Sequence, residues 1–262
     1  MAKLRLDKLL VDRNLVPSRE RATGLILAGR VLVDEQKQTK AGLSVDEDAV
    51  LRILGDEMPY VSRGGLKLRG ALDHWAIELT GRLCADIGAS TGGFTDCMLQ
   101  AGAAAVLAVD TGYGQLAMSL RNDSRVALME RTNARLLTPG ALLPEFAKLK
   151  TMHGILAAPS FFAMDVSFIS ATLVLPAVVG ALAPEGERWT GEVITLVKPQ
   201  FEAGREWVGK GGIVRDPAAH TIAIDRVRDA VKKIGGETVD VIESPITGTE
   251  GNREFLLYAR FV

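Results

Sequence analysis

The chain has 262 residues, 47% of them hydrophobic, enough for one sizeable core and a small satellite domain. Two cysteines 13 residues apart (Cys84, Cys97) and three scattered histidines (His74, His153, His220) form no ligand pattern, so no metal site is expected. The net charge of −1 excludes no partner by itself, but it is unevenly spread. Residues 1–40 carry nine Lys/Arg against five Asp/Glu, and the remainder carries 22 against 27. A basic head on a mildly acidic body fits a nucleic-acid contact confined to one end, or an ordinary solvated helix face.

In chain order, the opening Met1–Lys8 has no apolar core of the kind a signal peptide needs, so a reducing, cytoplasmic setting is expected. Leu4, Leu6, Leu9, Leu10 and Leu15 suggest the apolar face of a first short helix. Pro17-Ser18 starts a second helix, Arg19–Ala28, which stops at Gly29. Val31–Val33 reads as a strand, 34–40 as a turn, and Ala49–Leu54 as a returning strand. This small α+β domain is placed at residues 1–55, with 56–65 as a linker containing Pro59 and Gly64-Gly65, and a larger domain at 66–262.

From Leu83 onward strands alternate with helices. Strands are expected at 83–87, 104–109, 126–130, part of 155–166, 193–197, 238–242 and 254–261, with helices at 92–101, 115–120, 168–182 and 217–234. Such alternation predicts a doubly wound, Rossmann-like α/β sheet, mostly parallel, whose ligands sit at the carboxyl ends of the strands. A short connection before the last strand makes that strand antiparallel. Val166–Pro184 lacks charge and is about long enough to span a bilayer. Its serines and two prolines fit a buried helix better, so no membrane association is expected.

The most informative local sequence is Asp86-Ile87-Gly88-Ala89-Ser90-Thr91-Gly92-Gly93-Phe94, an apolar strand running into a loop of small residues that opens a helix. Glycine there permits tight turning and close backbone approach to a ligand. Asp86 would repel a pyrophosphate but suits the amino or sulfonium groups of S-adenosylmethionine, and no Gly-Lys-Ser/Thr follows. A second acid, Asp110, ends the next strand 22 residues after Gly88, near the spacing at which an acid hydrogen-bonds a ribose. It equally suits the cap of a turn before Gly112. A nicotinamide dinucleotide remains the rival ligand.

These runs resemble the TlyA family, proteins often labelled hemolysins and related to FtsJ/RrmJ-like ribose 2′-O-methyltransferases. The resemblance rests on 86–96, on Ala108–Leu116, on Glu130-Arg131-Thr132-Asn133, on Met164–Ser170 and on Val197-Lys198-Pro199-Gln200-Phe201-Glu202. The head, from Arg5–Leu10 through Arg19–Ala22 to Gly29–Val33, is similar to the S4-like RNA-binding domain of a small-subunit ribosomal protein. The resemblance implies a class I methyltransferase fold with seven strands, S-adenosylmethionine as methyl donor, ribosomal RNA or a ribosomal subunit as partner, and Asn133 beside the cofactor. It also implies a catalytic set matching Lys67, Asp165, Lys198 and Glu254, with Glu254 preferred to nearby Glu250 because it begins the final strand.

Methylating a ribose hydroxyl requires a weak acid to be positioned and polarised, and a lysine at the cofactor crevice serves that end. Flanking carboxylates favour a charged Lys198 that orients the hydroxyl. Desolvation and Lys67 favour a neutral one that accepts its proton. In the head, Lys3, Arg5, Lys8, Arg13, Arg19, Arg21 and Arg30 are candidates for phosphate contacts that position without reading sequence. Aromatics are absent there until Tyr60, so recognition by shape is expected. The competing functions are a lytic protein, as the hemolysin label suggests, and a non-catalytic ribosome-binding factor.

Overall fold

The computed structural model describes residues 3–54, 58–248 and 250–262; the domain end expected at residue 55 and the first linker residues, 56 and 57, lie outside these. The chain divides into two compact units, Met1–Glu57 and Met58–Val262.

The first unit contains β1 (Lys3–Arg5), α1 (Leu6–Asp12), α2 (Arg19–Leu27), β2 (Val31–Val33), β3 (Gln36–Gln38), β4 (Ser44–Asp46) and β5 (Leu51–Ile53). Leu4, assigned from sequence to the first helix, instead pairs with Val45 in the antiparallel β1–β4 ladder. Only Leu6, Leu9 and Leu10 form the buried helical stripe, packing on Leu25, Ile26 and Val31. Ser18 caps α2 by accepting from the Arg21 amide at 3.2 Å, and Gly29 leaves the helix at φ +65°. The segment expected as a simple turn over 34–40 holds a strand. Asp34 and Glu35 both take positive φ, the geometry of a two-residue hairpin turn, and β3 pairs back onto β2.

The second unit opens with α3 (Gly64–His74), followed by β6 (Leu83–Ile87), α4 (Gly93–Gln100), β7 (Ala105–Val109), α5 (Met118–Arg121), β8 (Val126–Met129), α6 (Leu143–His153), β9 (Pro159–Met164), α7 (Ala171–Ala181), β10 (Gly191–Val197), α8 (Pro199–Glu202), α9 (Pro217–Lys233), β11 (Glu237–Glu243) and β12 (Phe255–Phe261). Seven strands form one sheet in the order β11-β12-β10-β9-β6-β7-β8, with β12 antiparallel to both neighbours. β6 and β7 are buried along their whole length, as strands covered on both faces must be. Their side chains alternate between two cores: Leu83, Ala85 and Ile87 face the side of α6, α7 and α9, while Cys84 and Val106 face the side of α3 and α4.

Three helices escaped the sequence reading: α3, α6 and the single turn α8. α3 begins at Gly64, inside the segment read as a linker, and Tyr60 before it is packed in the core. α6 is built on Phe146 and Leu149. α7 is also shorter than expected, because Ser170 caps it and Phe168, at φ 64°, is not helical. At 11 residues it is far too short for a bilayer, and among the described residues no helix is long and apolar enough to cross a membrane.

Candidate active site

The strand register gathers the site. Ile87 lies level with Val109 on one side and Met164 on the other, so Gly88, Asp110 and Asp165 each follow a strand end in one row. On the antiparallel side Val197 pairs with Phe255, so the next residues outward are Lys198 and Glu254. α3, packed beside α4, brings Lys67 to the same rim.

Here the four charges meet. Lys67 Nζ donates to Glu254 Oε2 at 2.6 Å and lies 3.9 Å from Asp165 Oδ2. Lys198 Nζ donates to Ser167 Oγ at 2.6 Å and lies 2.6 Å from Asp165 Oδ1, an ion pair whose angles are not those of a hydrogen bond. Lys67, Lys198 and Glu254 are buried and Asp165 is half-buried, so each cation has a carboxylate partner in a poorly solvated setting. Glu250, the alternative acid, is exposed on the cavity rim.

The loop after β6 forms the adjoining wall. Asp86 is fully buried; its Oδ2 accepts from both the amide and the hydroxyl of Thr95, at 2.8 and 2.6 Å. Burial pushes its carboxyl up to about 7, against the pull of those two hydrogen bonds. Its Oδ1 is enclosed and has no hydrogen-bond partner, in a residue that borders the cavity. Gly88 takes φ +86°, and a Cβ there would stand 2.5 Å from the Asp165 carbonyl oxygen, so only glycine lets the loop pass β9. Gly93 packs against Ser62 and Gly65 of the α3 entry, and Phe94 is buried in the cavity wall. Ser90 and Thr91 are exposed at the mouth. Gly92 lines neither cavity; at φ +97° it turns the chain tightly against Leu116 and Leu120.

Asp110 accepts from the Ser90 amide at 2.8 Å and the Gly112 amide at 2.6 Å, so it does cap the turn before Gly112. A carboxylate has about four acceptor positions, so its capping does not exclude a ligand. Asn133 caps the short 3-10 turn Ala134–Leu136 by accepting from the Arg135 amide. Asp110 and Asn133 line one cavity of about 340 Å³, whereas the four charges, Asp86 and Gly93 line a neighbour of about 690 Å³. Gly88, Ser90, Asp165, Ser167 and Phe168 border both.

Three further residues were not singled out from the sequence. Phe168 is 93% exposed, holds a left-handed φ of 64°, and packs against Phe201 with ring centroids 5.6 Å apart and planes tilted by 52°. Ser167 fixes Lys198, and Gln200 lines the larger cavity. Phe168 was read as the first residue of the helix over 168–182, so nothing in the sequence set it apart. Among the described residues no group of His, Cys, Asp and Glu is placed to hold a metal ion.

In the first unit the basic candidates separate into two kinds. Arg5 and Arg19 both reach the buried Asp7, at 3.0 and 2.7 Å, and the Arg5 hydrogen bond, aided by Arg19, holds the Asp7 carboxyl well below its usual range. Arg13 donates to the carbonyls of Ala49 and Glu47, and Arg30 to that of Leu54 at 2.9 Å. Lys3, Lys8 and Arg21 are exposed, Lys8 lying 3.9 Å from Asp12.

Comparison with known proteins agrees with this architecture. The profile of FtsJ-like methyltransferases matches residues 60–261, and that of the S4 domain matches residues 4–51. The 16S/23S rRNA (cytidine-2′-O)-methyltransferase TlyA of Mycobacterium tuberculosis is 43% identical over 259 residues, covering 98% of this chain and 90% of that protein. Hemolysin A of Brachyspira hyodysenteriae is 37% identical, covering 97% and 99%. A solved, hemolysin-named protein from Streptococcus thermophilus is 40% identical with a TM-score of 0.71, covering 100% of this chain and 90% of that one. With an S4 domain ahead of an FtsJ-like methyltransferase domain and relatives matched along nearly its whole length, the chain belongs to the TlyA family.

Proposed function

We propose that the protein methylates the 2′-hydroxyl of a ribose in ribosomal RNA with S-adenosylmethionine as donor, acting in the cytoplasm on a ribosomal subunit or its precursor. The observation that carries the reading is Lys198, buried at a strand end and held by Asp165 and Ser167 at 2.6 Å each. An ammonium has three donors. Ser167 accepts from one of them and Asp165 balances the charge, so a further donor can meet a ribose oxygen and stabilise charge as it develops there. Lys67, held by Glu254, faces Asp165 from the other side at 3.9 Å, so the set acts as one positioning device.

The residues present fit the cofactor. The unpartnered Asp86 Oδ1 suits a cationic amino group, and the glycine at position 88 keeps the passage beside Asp165 open. Asp110 and Asn133, in the smaller cavity, suit a ribose and the base next to it. When bound, S-adenosylmethionine supplies an electrophilic sulfonium methyl. The protein's part is to hold the acceptor oxygen in line and to keep water out of the crevice. Phe168, exposed, backbone-strained and backed by Phe201, offers a stacking surface for an unpaired base. The methylation of cytidine in 16S and 23S rRNA by the M. tuberculosis relative supports the choice of substrate.

In the S4 domain Lys3, Lys8 and Arg21 contact RNA phosphates, while Arg5 and Arg19 present their outer faces after neutralising Asp7. The test is to incubate the protein with labelled cofactor and separated 30S or 50S particles from cells lacking it, then map the label. Label on a ribose 2′-oxygen is expected. Label on a base, or none, would refute the reading, and lysis of lipid vesicles by the purified protein would favour the hemolysin alternative.

A further inference from the structure

We propose that Glu202 is a positioning residue for methyl transfer, holding the loop after β9 so that the Phe168 ring stands where both cavities open. The proposal rests on the ribose methylation and the stacking role of Phe168 inferred above. The parallel ladder between β9 and β10 ends at Met164 and Thr195, so the loop 165–170 and the turn 198–202 need other ties beyond it. Among the described residues, no backbone hydrogen bond holds Val166 to Ile169. Three side-chain contacts join the two segments: Lys198 with Asp165 and Ser167, Phe201 with Phe168, and Glu202 with the start of α7. The first two lie on the larger cavity, where a substrate competes for them. Glu202 lines neither cavity, so its contact is independent of what is bound.

Its geometry is that of a latch. Glu202 is 4% exposed, and each carboxylate oxygen takes one donor at 2.6 Å: Oε2 the Ser170 hydroxyl, Oε1 the Ala171 amide. That amide is one of the first-turn donors that α7 leaves unpaired, where a negative charge is favoured. The Ser170 oxygen in turn accepts from the Thr172 amide at 3.2 Å, so the helix cap and the carboxylate form one unit. The other segment is fixed as well. The Glu202 amide donates to the Lys198 carbonyl at 3.2 Å, and Arg226 donates to the Glu202 carbonyl. The loop is thereby locked two residues after Phe168, whose φ of 64° is strained for a residue with a β-carbon. Its exposed ring has little packing of its own to hold that conformation, and such backbone persists only where its surroundings over-determine it.

The experiment is a double-mutant cycle on the full-length protein, with activity counted per cofactor-binding site titrated by calorimetry, so that a loss of folded protein does not register. Glu202→Leu removes both acceptors. It should lower kcat on the subunit particle labelled in the mapping experiment by about 10- to 100-fold, with cofactor affinity unchanged. Phe168→Ala should lose at least as much, and adding Glu202→Leu to it should cost less than about twofold more. Glu202→Gln, which can accept from the Ala171 amide and donate to the Ser170 oxygen, should recover most of the activity. Losses that multiply in the double variant, or wild-type activity in Glu202→Leu, overturn the proposal. Ser170→Ala cuts the same tie from the loop side and decides by the same cycle if the leucine variant fails to fold. Full activity in Phe168→Ala would overturn it by removing the stacking role, and failure of the wild type to label any rRNA ribose would instead remove the underlying function.

Discussion

The two units use their cations in opposite ways. In the S4 domain, arginines that read from sequence as RNA contacts turn partly inward: Arg5 and Arg19 neutralise Asp7, and Arg13 and Arg30 tie down carbonyls in the β4–β5 connection and just after β5. In the methyltransferase domain, Lys67 and Lys198 are buried against Glu254 and Asp165 at the mouth of a cavity. The lesson is that a basic residue counted in a sequence is not yet a contact. Its partner decides whether it holds the fold or the ligand.

The largest expected effect comes from breaking a buried pair in the methyltransferase domain. Glu254→Ala strands Lys67 in a site where both side chains are nearly excluded from water, and should cost about 3–5 kcal/mol in urea unfolding. A loss below about 1 kcal/mol would mean that Lys67 finds water or another acid instead.

Next is Lys198→Ala, expected to lower methyl transfer on the order of 10²- to 10³-fold while cofactor affinity, read by calorimetry, changes only a few fold. Full activity in that variant would remove the central residue of the mechanism.

Smaller effects test the S4 side. Asp7→Ala should destabilise the first unit by about 1–3 kcal/mol in thermal unfolding, since it leaves Arg5, Arg19 and the Lys8 amide without their common acceptor. Arg21→Ala should leave stability within about 0.5 kcal/mol and instead weaken RNA binding, reducing its salt slope by roughly one. Equal stability losses in both variants would erase the distinction drawn between the two kinds of cation.

A pH dependence tests the cofactor side. Burial favours the protonated form of Asp86, so the stability it contributes is fully present below the ordinary carboxylate range and is lost as pH rises through about 7. A cationic ligand prefers the carboxylate. Cofactor affinity should therefore fall as pH drops below about 7, approaching tenfold per unit. Asp86→Asn should flatten that profile, and an unchanged profile would separate Asp86 from the ligand.

Much of the sheet was legible, because buried parallel strands read as mainly apolar runs, with Asp86 near the end of β6 and Asp110 and Asp165 just past β7 and β9. α3 was not, because the Gly64-Gly65 pair that signals a linker in isolation here lets the helix pack tightly on Tyr60 and Gly93. β1 was mistaken for helix because three residues carry too little periodicity, and its pairing with β4 is a contact about 40 positions away. The catalytic set came from family resemblance alone. No spacing along the chain announces that residues 67 and 254 will touch, since that meeting depends on α3 and on β12 entering the sheet next to β10. Phe168 stayed hidden because exposure is a property of the folded loop.

That placement of β12 has a consequence for the order of folding. The strand is not an edge but a wedge between β10 and β11, and it delivers Glu254 to the rim. However well β6 to β10 have paired with one another, the crevice holds only three of its four charges until β12 is seated in the sheet.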